Sequence, residues 1–127
     1  MPLLAFEHVS KRYRDLGGRE VVVLDRVCFE IDSGDSAGVW GLRRSGKSTL
    51  LRIAAGLEPP DAGVVRFDGR DLTRMSERER ARLVRTQIGL APANWRETRN
   101  VRVVDHVALP LLSSGASLRE ATISARA

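Results

Sequence analysis

The stretch Gly41-Leu42-Arg43-Arg44-Ser45-Gly46-Lys47-Ser48-Thr49 decides how the rest of the chain is read. It fits the pattern G-x-x-x-x-G-K-[ST], and each fixed position answers a need of a bound phosphate chain. Gly41 and Gly46 permit backbone angles that let successive N–H groups face one point. Lys47 supplies a compact positive charge for the outer phosphates, and the Ser48 hydroxyl suits Mg2+. A helix opening near Gly46 aims the positive end of its dipole at the same anion. Such a loop points to a nucleoside triphosphate, provided a strand precedes it and a helix follows. The apolar run 37–40 is predicted as a short buried strand. Leu50, Leu51, Ile53, Ala54 and Leu57 predict the helix, so that loop and helix together occupy 41–57. Gly56, Pro59 and Pro60 end it.

Size and composition set the frame. The 127 residues give room for one domain, and 43% apolar with 29% charged residues is ordinary for a globular chain. No apolar run approaches the roughly 18 residues needed to span a bilayer. No basic segment followed by an apolar stretch opens the chain, so no signal peptide is expected, and a cytoplasmic location is. The single cysteine, Cys28, has no partner for an internal disulfide and reads as a small core residue. Net charge is +5, and nineteen of the twenty-one basic residues are arginine. They are dispersed, and between Arg70 and Arg85 they alternate with Asp71, Glu77 and Glu79, as on a solvated helix face. With one Tyr, three Phe and two Trp there is little to stack on bases, so no nucleic acid is expected as a partner.

Along the chain, residues 3–9 predict a first strand with Leu4, Phe6 and His8 on one face. The charged stretch 11–20 reads as a loop, and 21–31 as a strand. A turn at 32–35 leads to the phosphate loop. Residues 64–67 predict a strand closed by Asp68-Gly69, and Ser76 with Glu79 has the spacing of a capping box for a helix to about Arg85. Residues 88–91 suggest a further strand, 103–112 a helix, and Ser117 with Glu120 a last cap. The mixture predicts an α/β chain with the phosphate loop at the carboxyl end of a central strand.

The order of these pieces resembles the nucleotide-binding domain of ABC transporters, of the lipoprotein-release and macrolide-export type. The resemblance runs over nearly the whole chain. It is carried by Val9-Ser10-Lys11-Arg12-Tyr13, Leu24-Asp25-Arg26-Val27, the loop with Leu50-Leu51-Arg52, and Gly56-Leu57-Glu58-Pro59-Pro60-Asp61-Ala62-Gly63. Phe67-Asp68-Gly69-Arg70-Asp71-Leu72, Ser76-Glu77-Arg78-Glu79-Arg80-Ala81-Arg82-Leu83 and Val107-Ala108-Leu109-Pro110-Leu111-Leu112 complete it. It implies the N-terminal half of a P-loop NTPase: one incomplete domain over 1–127, with a mixed sheet, an antiparallel β subdomain and the start of a helical region at 95–127. It implies ATP and Mg2+ as cofactors. Tyr13 would stack on the adenine, its alternative being to pack on the sheet. Gly41, Arg44, Ser45, Gly46, Lys47, Ser48 and Thr49 would hold the phosphates, with Ser48 on the metal and Thr49 near the α phosphate. The implied partners are a transmembrane permease subunit, met around 93–104, and a second ATP-binding subunit in a head-to-tail dimer. The implied place is the inner face of the cell membrane, where ATP use is coupled to export.

Three departures from the family pattern matter. Ala93 stands where the family has a glutamine that ligands Mg2+ and orients water; Gln87 falls before the preceding strand. Arg44 stands where the loop usually has a further glycine, and Leu42 where it has proline or a small residue; Arg43 and Arg44 point either to phosphate or to solvent. The family's signature, the metal-binding aspartate with its catalytic glutamate, and the switch histidine would all lie beyond residue 127; His8 and His106 occupy other places. No catalytic residue is therefore assigned, and the chain is expected to bind ATP without hydrolysing it alone. Two alternatives stand beside this reading: a non-catalytic interaction protein docking on a permease, and a small P-loop kinase or nucleic-acid-linked ATPase.

Overall fold

The computed structural model describes residues 1–91. The chain divides into two compact units, Met1–Ala81 and Arg82–Ala127. The first holds a four-stranded antiparallel sheet, in the order β2-β1-β3-β4. Its strands are β1 (Leu4–Arg14), β2 (Glu20–Ile31), β3 (Ala62–Phe67) and β4 (Arg70–Asp71). Helix α1 (Lys47–Ala54) lies between β2 and β3 in the chain. Helix α2 (Glu77–Gln87) starts in the first unit, and its remainder makes up most of the described part of the second.

β1 and β2 are longer than their sequence suggests. The stretch 11–20 was expected to be a loop because it is charged. Instead β1 continues to Arg14, pairing Arg12 with Val22 and Tyr13 with Val21, and only 15–19 turn. The charge is compatible with a strand because exposure alternates: Lys11 and Tyr13 are half-buried, whereas Arg12 and Arg14 are exposed. Asp15 closes the turn by accepting from the N–H groups of Gly17 and Arg19, at 2.9 and 2.8 Å.

A bulge interrupts β1. Phe6 pairs with Phe29 and Val9 with Val27, while Glu7 pairs with Val64 and Ser10 with Ala62. Both neighbours therefore meet one extra residue in β1, and His8 takes it up at φ 51°. The expected face of Leu4, Phe6 and His8 is thus corrected. Phe6 and Val9 are buried and His8 is exposed. Cys28 is exposed as well, not a core residue: the bulge brings it beside His8, whose N–H donates to its Sγ at 3.2 Å. Gly63, at φ 87°, makes room for the bulge, because a Cβ there would stand 2.6 Å from the Glu7 carbonyl oxygen.

The buried apolar residues of the first unit are Ala5, Phe6, Val9, Leu24, Ile53, Ala55, Val65 and Leu72. Phe6 stacks on Phe29 with ring centres 4.5 Å apart. α1 ends at Ala54, sooner than the predicted 57. The Gly56 N–H donates to the Ile53 carbonyl and the Leu57 N–H to the Arg52 carbonyl, both at 3.0 Å. The predicted capping box opens α2: the Ser76 N–H donates to Glu79 at 3.0 Å, and the Glu79 N–H to the Ser76 hydroxyl at 3.3 Å.

Two expected strands are absent. Residues 37–40 are irregular and unpaired with any described strand, and Trp40 is 94% exposed. Residues 88–91 are also irregular. The sheet described is accordingly antiparallel throughout and not mixed. A short apolar run encodes a demand for neighbours on both sides, and no described strand provides them at 37–40. The expected elements at 103–112 and 117–120, with the helical region 95–127, lie outside the described residues.

A Gly63→Ala substitution should test the bulge. Holding alanine at this φ costs roughly 1–3 kcal/mol before the clash with β1 is counted. Urea unfolding should show a loss of at least that size, whereas alanine at the exposed Gly17 should change little.

Candidate functional site

The phosphate loop gets its shape from two contacts. The first is the approach of Gly46 to β2. Gly46 has φ 94°, and a Cβ there would meet the Val23 carbonyl oxygen at 2.7 Å and Val23 Cγ1 at 2.9 Å. Only glycine lets the loop lie on the strand and enter α1 from there. The second is Lys47. Its ammonium donates to the carbonyl oxygens of Gly41 and of Leu42, the latter at 2.6 Å, with Ser45 Oγ at 3.4 Å. The lysine thus ties the two ends of its own loop together, and the Ser45 N–H adds a turn bond to the Leu42 carbonyl at 3.2 Å.

The first turn of α1 is built for an anion. The Leu50 N–H donates to the Gly46 carbonyl at 2.9 Å. The N–H groups of Lys47, Ser48 and Thr49 come before that bond and have no intrahelical acceptor. No side chain caps them, and no acidic residue sits in the turn. A polyphosphate fits this donor set. Among the described residues a metal has less to hold it: Ser48 offers one neutral oxygen, and no described carboxylate joins it in the wall.

A concavity of about 360 Å3 opens at this turn, lined by Arg43, Arg44, Ser45, Gly46, Lys47, Ser48 and Thr49, with Tyr13 and Val23 at its side. The sequence-derived site residues therefore converge, with Gly41 held behind them through Lys47. A larger depression of about 690 Å3 adjoins it across Tyr13, along Arg12, Arg14, Arg26 and Asp61. Thr49 stands apart from the other loop residues: it is buried, and its hydroxyl takes a bond from Arg52 at 3.3 Å and lies 3.4 Å from the Tyr13 hydroxyl.

Tyr13 is placed by a network that the sequence did not announce. Its hydroxyl donates to Glu58, and Arg52 Nε donates to the same carboxylate at 3.0 Å. The Lys11 ammonium lies 3.6 Å from Glu58, 2.8 Å from the Pro59 carbonyl oxygen and 5.6 Å from the centre of the Tyr13 ring. Burial works against the Glu58 charge. The bonds from Tyr13 and Arg52, with the charge of Lys11, outweigh it and hold the carboxyl below its ordinary value of 4.5. These partners sit 45 and 6 positions from Glu58 for Tyr13 and Arg52. No local spacing reveals such a cluster.

Arg44 holds φ 62°. The backbone thus keeps the left-handed turn that a glycine would take without strain, and a side chain is carried there at a cost.

An antiparallel sheet, a glycine-seated loop and an uncapped helix turn define a phosphate-loop nucleotide-binding fold. The chain belongs to the ABC transporter family, whose model matches residues 24–126. It is 42% identical to the cell division ATP-binding protein FtsE of Escherichia coli K12 over 115 residues, which are 91% of this chain and 50% of that protein. It is 36% identical to the lipoprotein-releasing system ATP-binding protein LolD 2 of Caulobacter vibrioides, over 98% of this chain and 54% of that one. The solved ATP-binding cassette MJ0796, in a dimeric post-hydrolysis state with ADP and Pi, superposes with a TM-score of 0.79 at 26% identity. That match covers 96% of this chain and 53% of the cassette. The chain spans about half the length of the relatives it matches.

Two outcomes follow from this geometry. Arg44→Gly should raise stability by about 1 kcal/mol in urea unfolding, by releasing the left-handed strain. Glu58, with its folded value depressed, contributes stability that is present above its unfolded value near 4.5 and is lost as pH falls through the lower folded value. Acid titration of unfolding free energy should therefore decline below about pH 4.5, and Glu58→Gln should flatten that limb while lowering stability at neutral pH.

Proposed function

We propose that this chain is the N-terminal part of the ATP-binding component of an ABC transporter, gripping ATP at the loop 41–49 and turning over none of it alone. The carrying observation is the set of three amides at Lys47, Ser48 and Thr49 without an intrahelical acceptor, beside a lysine and two arginines. Such a set binds phosphate by directed N–H donors and by charge together. Lys47 would exchange backbone carbonyl partners for phosphate oxygens. Tyr13, fixed by Glu58, would present its ring to the purine at the side of the same concavity. Ser48 would give one ligand to Mg2+, which, when bound, spreads the charge of the phosphate oxygens. No described residue in the wall can act as a base toward water, and Ala93 replaces the glutamine that the family resemblance would place near it.

The proposed partners are a permease subunit and a second ATP-binding subunit, at the inner face of the membrane, with export as the coupled work. Support comes from the relatives named as ATP-binding proteins and from the dimeric cassette structures. Among the described residues no helix is long and apolar enough to cross a membrane. The relatives' names range over cell division, lipoprotein release and methionine import, and the cargo is left open.

Calorimetric titration with ATP in the presence of Mg2+ tests the grip. Wild-type chain should release heat, and Lys47→Ala should bind at least roughly tenfold more weakly, as befits the loss of a charged donor. Phosphate release should stay at the blank level for both. Steady release by the wild type that vanishes in the alanine variant would overturn the non-hydrolytic part.

A further inference from the structure

The wall of the phosphate concavity carries more positive charge than its motif requires. Arg43, Arg44 and Lys47 all line it, and among the described residues no carboxylate does. Lys47 donates to the carbonyl oxygens of Gly41 and Leu42 until a phosphate takes their place. Arg43 and Arg44 are both exposed, and among the described residues neither side chain has a hydrogen bond or ion pair. Like charges gathered without a counterion repel one another, and an anion in the concavity relieves that repulsion. Guanidinium groups suit the task, because their forked donors match phosphate oxygens and they stay charged at every working pH. The arginine at position 44 is also retained at φ 62°, where glycine would fit more easily.

The divalent cation is the other usual source of neutralising charge. Magnesium is ordinarily held by carboxylates together with substrate phosphates. Here the described wall offers only neutral hydroxyls, those of Tyr13, Ser45, Ser48 and Thr49, and no group of three or more His, Cys, Asp or Glu side chains stands ready for a metal among the described residues. The charge that the metal would bring is already present in the side chains.

We infer that Arg43 and Arg44, and not a divalent cation, supply most of the neutralising charge for the bound polyphosphate, so that the loop holds a triphosphate chain without Mg2+. The inference rests on the nucleotide-site reading and deepens it. It assigns a binding role to two residues outside the fixed positions of the motif.

Titration calorimetry of the full chain with inorganic triphosphate and with ATP, each in excess EDTA and again in Mg2+, provides the test. For the wild type, both probes should bind in EDTA within about threefold of their affinity in Mg2+. The Arg43→Ala/Arg44→Gly double variant should lose roughly tenfold or more in EDTA and recover much of it when Mg2+ is added. Circular dichroism checks that the variant is folded, and the exposed single change Arg43→Ala gives the same comparison if it is not. Wild-type binding that disappears in EDTA and returns with Mg2+ would overturn the inference and leave the nucleotide site standing. Equal affinities of wild type and double variant in EDTA would also overturn it. Failure to bind ATP under either condition would overturn both readings.

Discussion

The contact on which the site depends is the seating of Gly46 on β2. With no side chain at this position, the loop backbone can lie against the Val23 carbonyl, where a Cβ would come within 2.7 Å. That seat fixes where α1 begins and therefore where its first amides point. It also brings the turn within reach of β1, so that Thr49 and the Tyr13 hydroxyl come 3.4 Å apart. The sheet is not merely a scaffold behind the loop. It determines which side of the concavity carries an aromatic ring and which side carries cations.

The Lys11, Tyr13, Arg52 and Glu58 cluster extends this logic. Its members come from three places in the chain: Lys11 and Tyr13 from β1, Arg52 from α1 and Glu58 from the turn after it. The carboxylate accepts from the Tyr13 hydroxyl and from Arg52 and faces the Lys11 ammonium, so its charge is neutralised locally. Glu58 therefore does little to offset the positive wall on the other side of Tyr13. Electrostatically, the site separates into a self-compensated cluster and a rim of Arg43 and Arg44 that has no counterion among the described residues.

What could be read from the sequence was what is encoded over a few positions. The phosphate loop was legible because glycine, lysine and hydroxyl residues are needed at fixed short spacings. The capping box at Ser76 and Glu79 was legible for the same reason, with its reciprocal bonds present. The length of β1 was not, because the three cations among Lys11 to Arg14 resemble a solvated loop until a partner strand is known. Cys28 was misjudged because one inserted residue in β1 alters which side chains stand together. The run 37–40 was read as a strand from its apolarity, yet strand formation depends on neighbours, which a linear pattern does not contain. The ring of Tyr13 could be suspected from the resemblance, but its anchoring by Glu58 is a long-range event with no local spacing to signal it.

The irregular pairing of β2 bears on how the molecule tolerates crowding. Among the described strands β2 is an outer one of twelve residues, long enough to act as an adhesive template for a foreign chain. Its ladder shifts register near its middle, where Arg26 stands at φ 45° beside Asp25, both exposed. An incoming strand can follow one half or the other but meets a kink and two ionised groups between them. The same distortion that disturbs the sheet's regularity therefore shortens the sticky margin and discourages the stacking of copies into fibrils.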